Sequence, residues 1–259
     1  MTLHDAFSPI PFTCARARTC KGYTAISVMK RHVSWQAACL TPGGEPGGLR
    51  FHACDRRPRS NRVALAARGI KALIPAFGPS GILPPFIGPS PVDRAKVSPY
   101  EVTLTELVSR FGTSKERLQI LRGLVAYRAA LANAGIVQGF QWLDGSFIED
   151  CETHRGRGPK DIDIVTFAYR PIAVSAPQDW ATFVAANDDL FNPVKTKADL
   201  SCDAYYIDLN KAPHLTVLDT AYFNSLFSHQ RDTAQWKGML VVKLQSDDAV
   251  AAQMIAGTK

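Results

Sequence analysis

No stretch of about 18 or more consecutive apolar residues occurs in this chain, so its sequence offers no helical membrane span. The first residues lack a compact apolar segment followed by a small-residue cleavage site, and the expected location is therefore cytoplasmic. No C-x-x-C pair exists among the six cysteines (Cys14, Cys20, Cys39, Cys54, Cys151 and Cys202). Without an export signal these are expected to be free thiols rather than a disulfide framework. The spacings of Cys14, Cys20, Cys39, His52 and Cys54 match no standard zinc-ligand pattern. There is no glycine-rich loop ending in Lys-Ser or Lys-Thr, which argues against a P-loop ATPase. His154, His214 and His229 stand in unrelated contexts, so no Ser-His-Asp arrangement can be read.

What the chain does have is divided unevenly along its 259 residues. Residues 1–78 hold 12 Lys and Arg against 3 Asp and Glu, a net +9, and residues 79–259 hold 18 against 20, a net −2. The overall +7 is thus a property of the first segment, not of the rest. That segment has scattered arginines and a Pro-Gly-Gly-Glu-Pro-Gly-Gly stretch at 42–48. It reads as a basic extension, either disordered or the product of a mis-assigned start. Residues 79–99 are rich in proline and glycine and read as an extended connector. Residues 100–259 form the expected folded domain, and a hydrophobic content of 46% suffices for a core.

Within that domain a helix is expected over Thr103–Phe111. Thr113-Ser-Lys-Glu116 reads as a capping box opening a longer helix, with Leu118, Leu121, Leu124, Val125 and Leu131 on one face. Strands are expected over Ile136–Leu143, Asp161–Phe167, Cys202–Leu209 and Gly238–Leu244. Helices are expected over Gln178–Phe191, with Trp180, Phe183, Val184 and Phe191 inward, and over Asp219–Phe227. This succession suits an α+β fold with one small mixed sheet flanked by helices.

The chemistry is concentrated in Asp144-Gly-Ser-Phe147 and, further on, Asp161-Ile-Asp163. Alternate strand residues share a face, so Asp161 and Asp163 point the same way. Two like charges so placed call for a cation between them. Oxygen ligands alone point to Mg2+ or Mn2+ rather than zinc. Gly145 permits close backbone approach, and Ser146 can donate to a phosphate oxygen. Arg155-Gly-Arg-Gly-Pro-Lys160 is either a solvated loop or a set of cations for an acidic substrate. Glu149, Asp150 and Glu152 read as surface acids. Lys237 and Lys243 are candidates for contacting phosphate. Phe140, Trp142 and Phe147 read as core.

The Gly145-Ser146 turn followed by Asp161-x-Asp163 resembles the signature of the polymerase-beta-like nucleotidyltransferase superfamily. More closely, residues 81–244 resemble a poorly characterised bacterial nucleotidyltransferase-like family. The likeness rests on Ile82-Leu-Pro-Pro-Phe86, Arg110-Phe-Gly112, the Asp-Gly-Ser-Phe turn and Lys237-Gly238. It implies a nucleotidyltransferase-like fold and an enzyme moving a nucleoside monophosphate from a nucleoside triphosphate to a hydroxyl acceptor by a two-metal mechanism. Gly145 and Ser146 would hold the triphosphate, and Asp161 and Asp163 two Mg2+ (or Mn2+) ions. Asp203, or else Asp208, would supply a third carboxylate. Those three aspartates would be both metal ligands and catalytic residues. A second reading keeps the fold without turnover, as a nucleotide-binding or toxin–antitoxin partner protein. The acceptor is open between a protein side chain, an RNA end, a small molecule and a second nucleotide; nucleic acid is possible but not indicated by the folded domain.

Overall fold

The computed structural model describes residues 74–174 and 176–258. Residues 1–73 of the basic extension, with its four cysteines, lie outside them. Eight α-helices and five strands are described, in an α+β arrangement with one mixed sheet, as expected. They are β1 (Tyr100–Glu101), α1 (Leu104–Phe111), α2 (Lys115–Asn133), β2 (Gly139–Asp144), α3 (Cys151–Arg155), β3 (Ile162–Ala168) and α4 (Pro177–Ala186). Then follow α5 (Asp188–Phe191), α6 (Pro193–Leu200), β4 (Cys202–Asp208), α7 (Pro213–Phe227), β5 (Leu240–Lys243) and α8 (Asp248–Gly257). Among the described residues no helix is long and apolar enough to cross a membrane.

The sheet order is β1-β5-β2-β3-β4. β2 pairs antiparallel with both β3 and β5, whereas β3–β4 and β1–β5 are parallel. The C-terminal end of β2 therefore meets the N-terminal ends of β3 and β4. Side-chain alternation then sorts the residues. Gln141, Leu143, Ile164, Thr166 and Ala204 face α2, whose buried Leu121, Leu124 and Leu131 match the expected helix face. Asp144, Asp163, Val165, Asp203 and Tyr205 occupy the other face, where α7 packs through Phe223 against Tyr205. Phe140 and Trp142 pack on Phe167, and Phe147 is fully buried, so these aromatics are core.

Two buried arginines on α2 tie the layers together. Arg128 donates to Asp248, to Gln141 Oε1 at 2.7 Å and to the carbonyls of Lys243 and Leu244. Arg117 donates to the carbonyls of Phe147 at 2.6 Å and Glu149 at 2.7 Å and pairs with Glu152. A buried guanidinium is tolerated only when its donors are met, and here they fasten the turn after β2 to the helix layer.

Several expected details differ. The capping box forms at Thr103 and Glu106 on α1, and Ser114 rather than Thr113 caps α2. The helix expected over 178–191 is broken at Asn187 into α4 and α5. β1, α3, α6 and α8 have no counterpart among the elements expected from the sequence. The core also reaches back past residue 79. Ile74 is buried, and Phe77 packs on Phe111 with the Arg110 guanidinium 4.5 Å over its ring. The connector holds Ile82 and Leu83 in the interior.

Candidate active site

The strand ends bring four aspartates into one cleft. Asp144 is opposite Asp163 across β2–β3, and Asp163 is beside Asp203 across β3–β4. Cross-strand partners share a face, so these three carboxylates form a row. Asp161 lies one residue before β3 and lines the same cleft, of about 590 Å³, with Gly145, Ser146, Asp163 and Asp203. All five expected site residues are thus together. Asp208 is not among them. It sits at the far end of β4 on the opposite face, where Arg170 holds it with bonds of 2.9 and 2.7 Å.

Gly145 adopts φ +84°, a left-handed conformation that favours glycine. A Cβ there would lie 2.3 Å from Asp163 Oδ2, so the missing side chain is what admits the carboxylate beside the turn. Ser146 opens a short 3-10 turn whose Phe147 and Ile148 are buried, which aims the serine outward into the cleft.

Lys197, from the last turn of α6, reaches Asp161 Oδ2 at 2.8 Å and Asp203 Oδ2 at 2.9 Å. It bridges Asp161 to Asp203 and leaves Asp163 out, and sequence spacing did not reveal it. Lys237 is almost wholly buried between Glu149 at 2.8 Å and Asp144 at 3.1 Å. Glu149, expected at the surface, is buried and also accepts from Arg155 at 2.8 Å and Gln230 at 3.2 Å. The reason is the short turn after Ser146, which sends the chain back under the cleft. Lys243, by contrast, pairs with Glu101 at 2.5 Å and does not line the cleft.

Among the described residues the Asp163 carboxylate joins no ion pair. Burial, then Asp161 and Asp203, push it up to about 6. Burial pushes Asp144 up to about 7 against the pull of Lys237. Although Nζ of Lys237 is 3.1 Å away, Asp144 Oδ1 is buried without a well-directed hydrogen bond. The floor of the cleft thus carries more negative charge than its two lysines satisfy. Arg155, Arg157, Lys160 and Arg231 line the same cleft, the last three exposed.

No three acidic, histidine or cysteine side chains among the described residues already converge as a metal site. The donor set nevertheless fits Mg2+ or Mn2+. It consists of carboxylate oxygens only, includes an orphaned buried oxygen on Asp144, and holds an unpaired Asp163 between its neighbours.

A family model described as a family of unknown function, DUF6932, matches residues 75–243, more than half of the chain. No curated protein and no solved structure matches the chain.

Proposed function

We propose that this chain, which belongs to the DUF6932 family of unknown function, is a cytoplasmic metal-dependent nucleotidyltransferase. The observation that carries the reading is the row Asp144–Asp163–Asp203, with Asp161 beside it, facing the Gly145-Ser146 turn. Asp161, Asp163 and Asp203 would hold Mg2+ or Mn2+, which supplies neutralisation of phosphate charge. Gly145 leaves the backbone open to a triphosphate, Ser146 donates its hydroxyl to a phosphate oxygen, and Arg157, Lys160 and Arg231 offer cations around the cleft. In the transfer, the acceptor's hydroxyl oxygen bonds to the α-phosphorus. The bond from that phosphorus to the α,β-bridging oxygen breaks, and pyrophosphate leaves. The hydroxyl proton passes to a carboxylate of the row. Catalysis of this kind is mostly positioning and charge stabilisation, which a rigid strand end provides.

The bridge from Lys197 to Asp161 and Asp203 favours a second reading, a protein that binds nucleotide without turnover, because an ammonium stands where a metal would. Incubating the full chain with each labelled nucleoside triphosphate, Mg2+ and a cell lysate separates the two. The enzyme reading expects a labelled macromolecule or small product that Asp163→Asn fails to make. Nucleotide binding without any labelled product supports the second reading. Neither binding nor product removes both.

A further inference from the structure

Two lysines serve the same acidic cleft but differ in their freedom. Lys237 is about 3% exposed and locked between Glu149 and Asp144. The side chain of Lys197 is 47% exposed, so its stem can swing into water without breaking the core. Its backbone, however, is fixed. Gly123 of α2 meets the end of α6 so closely that a Cβ there would lie 1.8 Å from the Leu200 carbonyl oxygen. Thr196 is buried, and Ser201 closes α6 in a left-handed conformation, its N–H bonding to Lys197 and Thr196 carbonyls. The ammonium is half-exposed on a rigid mount, directly over two anionic oxygens that Mg2+ or Mn2+ would need.

We infer that Lys197 is a displaceable counter-ion of the carboxylate row, which a divalent cation must evict and which then turns to the phosphates of the incoming nucleotide. This inference rests on the metal-dependent reading above. An ammonium and a divalent cation a few ångströms apart repel each other, so either ion at this spot disfavours the other. Once evicted, the lysine's four-carbon stem keeps the charge near the cleft, and a triphosphate offers it new anionic partners. Metal alone therefore binds weakly, and metal with nucleotide binds well. The lysine couples the two ligands, and the coupling is reciprocal.

Calorimetric titration of Mn2+ into the full chain, with and without a non-hydrolysable triphosphate analogue, tests this. Lys197→Met is expected to bind Mn2+ about tenfold more tightly than the wild type without nucleotide. The analogue is expected to tighten Mn2+ binding about tenfold less in the variant than in the wild type. Lys197→Gln should behave like Lys197→Met, and Lys197→Arg, which keeps the charge, should stay near the wild type. Metal-free melting curves establish that each variant is folded, and Lys197→Gln stands in if Lys197→Met is not. Mn2+ affinity unchanged or weakened in the neutral variants, with the wild type still binding Mn2+ and Asp163→Asn not, overturns the inference alone. If the wild type and Asp163→Asn take up Mn2+ equally or not at all, the metal-dependent reading falls and takes the inference with it.

Discussion

Asp163 has neighbours of its own sign on both sides and, among the described residues, no ion-pair partner, and that makes it the residue on which most depends. Its carboxyl is raised to about 6, first by burial and then by Asp161 and Asp203, and that of Asp144 to about 7. Folded chains therefore hold protons that unfolded chains release from their ordinary value of 3.8 upward. The stability those protons confer is whole below about pH 4 and is lost as pH rises through 6 and then 7. The metal-free protein is expected to lose melting temperature across that window. Asp163→Asn should flatten the lower part, remain folded, and abolish transfer by several orders of magnitude. Mg2+ with nucleotide should raise the melting temperature of the wild type more than that of the variant. An unchanged pH profile and full activity in the variant would place the chemistry elsewhere. Gly145→Ala meets both a positive φ and the Asp163 carboxylate, and is expected to cost about 1–3 kcal/mol in denaturant melts as well as activity. The i, i+2 spacing made Asp161 and Asp163 legible as a pair, and the resemblance of the Gly145-Ser146 turn to a known signature set it beside them. Lys197 was not, since a lysine 34 residues beyond Asp163 announces nothing until β4 and α6 return it to the cleft. Asp144 was read only as part of the turn, although its register opposite Asp163 makes it a member of the row.

At the scale of elements, the helices hold one another through their ends. Asp247, just before α8, accepts from the N–H of Leu104 at 2.8 Å and of Thr105 at 3.2 Å, and from the Thr105 hydroxyl. It thus caps α1 from 140 residues away in sequence, in addition to the local box of Thr103 and Glu106. Burial alone would raise its pKa, but the bonds from Thr105, Ser246 and the two backbone N–H groups hold it at about 2. Its contribution is complete above the ordinary carboxylate range and is lost only as pH falls through about 2. Asp247→Ala is expected to cost about 1 kcal/mol at neutral pH. It should also speed amide exchange over Leu104–Phe111 more than over β3; uniform exchange would mean that the cap is not shared. Such a long-range cap has no local signature, and α8 itself was missed for a related reason. Its buried Ala251 and Ile255 give too short an apolar pattern to read in ten residues. The leucine face of the longer α2 was legible because Leu118, Leu121, Leu124 and Leu131 recur over nearly four turns. The misplaced capping box had an equally local cause. Thr103-Leu-Thr-Glu106 and Thr113-Ser-Lys-Glu116 fit the same template, and in the second Ser114 captures the Arg117 N–H.

For the whole molecule, composition drew a folded domain over residues 100–259 behind a connector at 79–99, whereas the described core already includes Ile74, Ile82 and Leu83. The break in charge and the proline-glycine stretch suggested a boundary at residue 78, yet proline-rich chain can still be interior. Ile82 and Leu83 are buried, the Leu83 carbonyl accepts from the Gly238 N–H at 2.8 Å, and Tyr100 donates to the Pro84 carbonyl at 2.7 Å. A segment with few donors of its own can still serve as acceptor and apolar filler, which is why a low-propensity stretch need not be a linker. Ile74 and Phe77 extend the same seam against α1, and the family match begins at residue 75. Two shortened chains should therefore behave differently. One that starts at Ile74 keeps the seam and sheds the net +9 of the basic segment, and is expected to melt cooperatively at the temperature of the full chain. One that starts at Pro79 leaves an apolar vacancy beside Phe111 and takes from Arg110 the nearer of its two aromatic rings. Deleting a buried isoleucine and a partly buried phenylalanine is expected to cost about 2–5 kcal/mol, with a lower melting temperature. Differential scanning calorimetry of the three chains decides it. Equal melting of the two shortened chains would show that Ile74 and Phe77 contribute nothing. A lowered melting temperature already at the Ile74 start would show that the basic segment supports the domain.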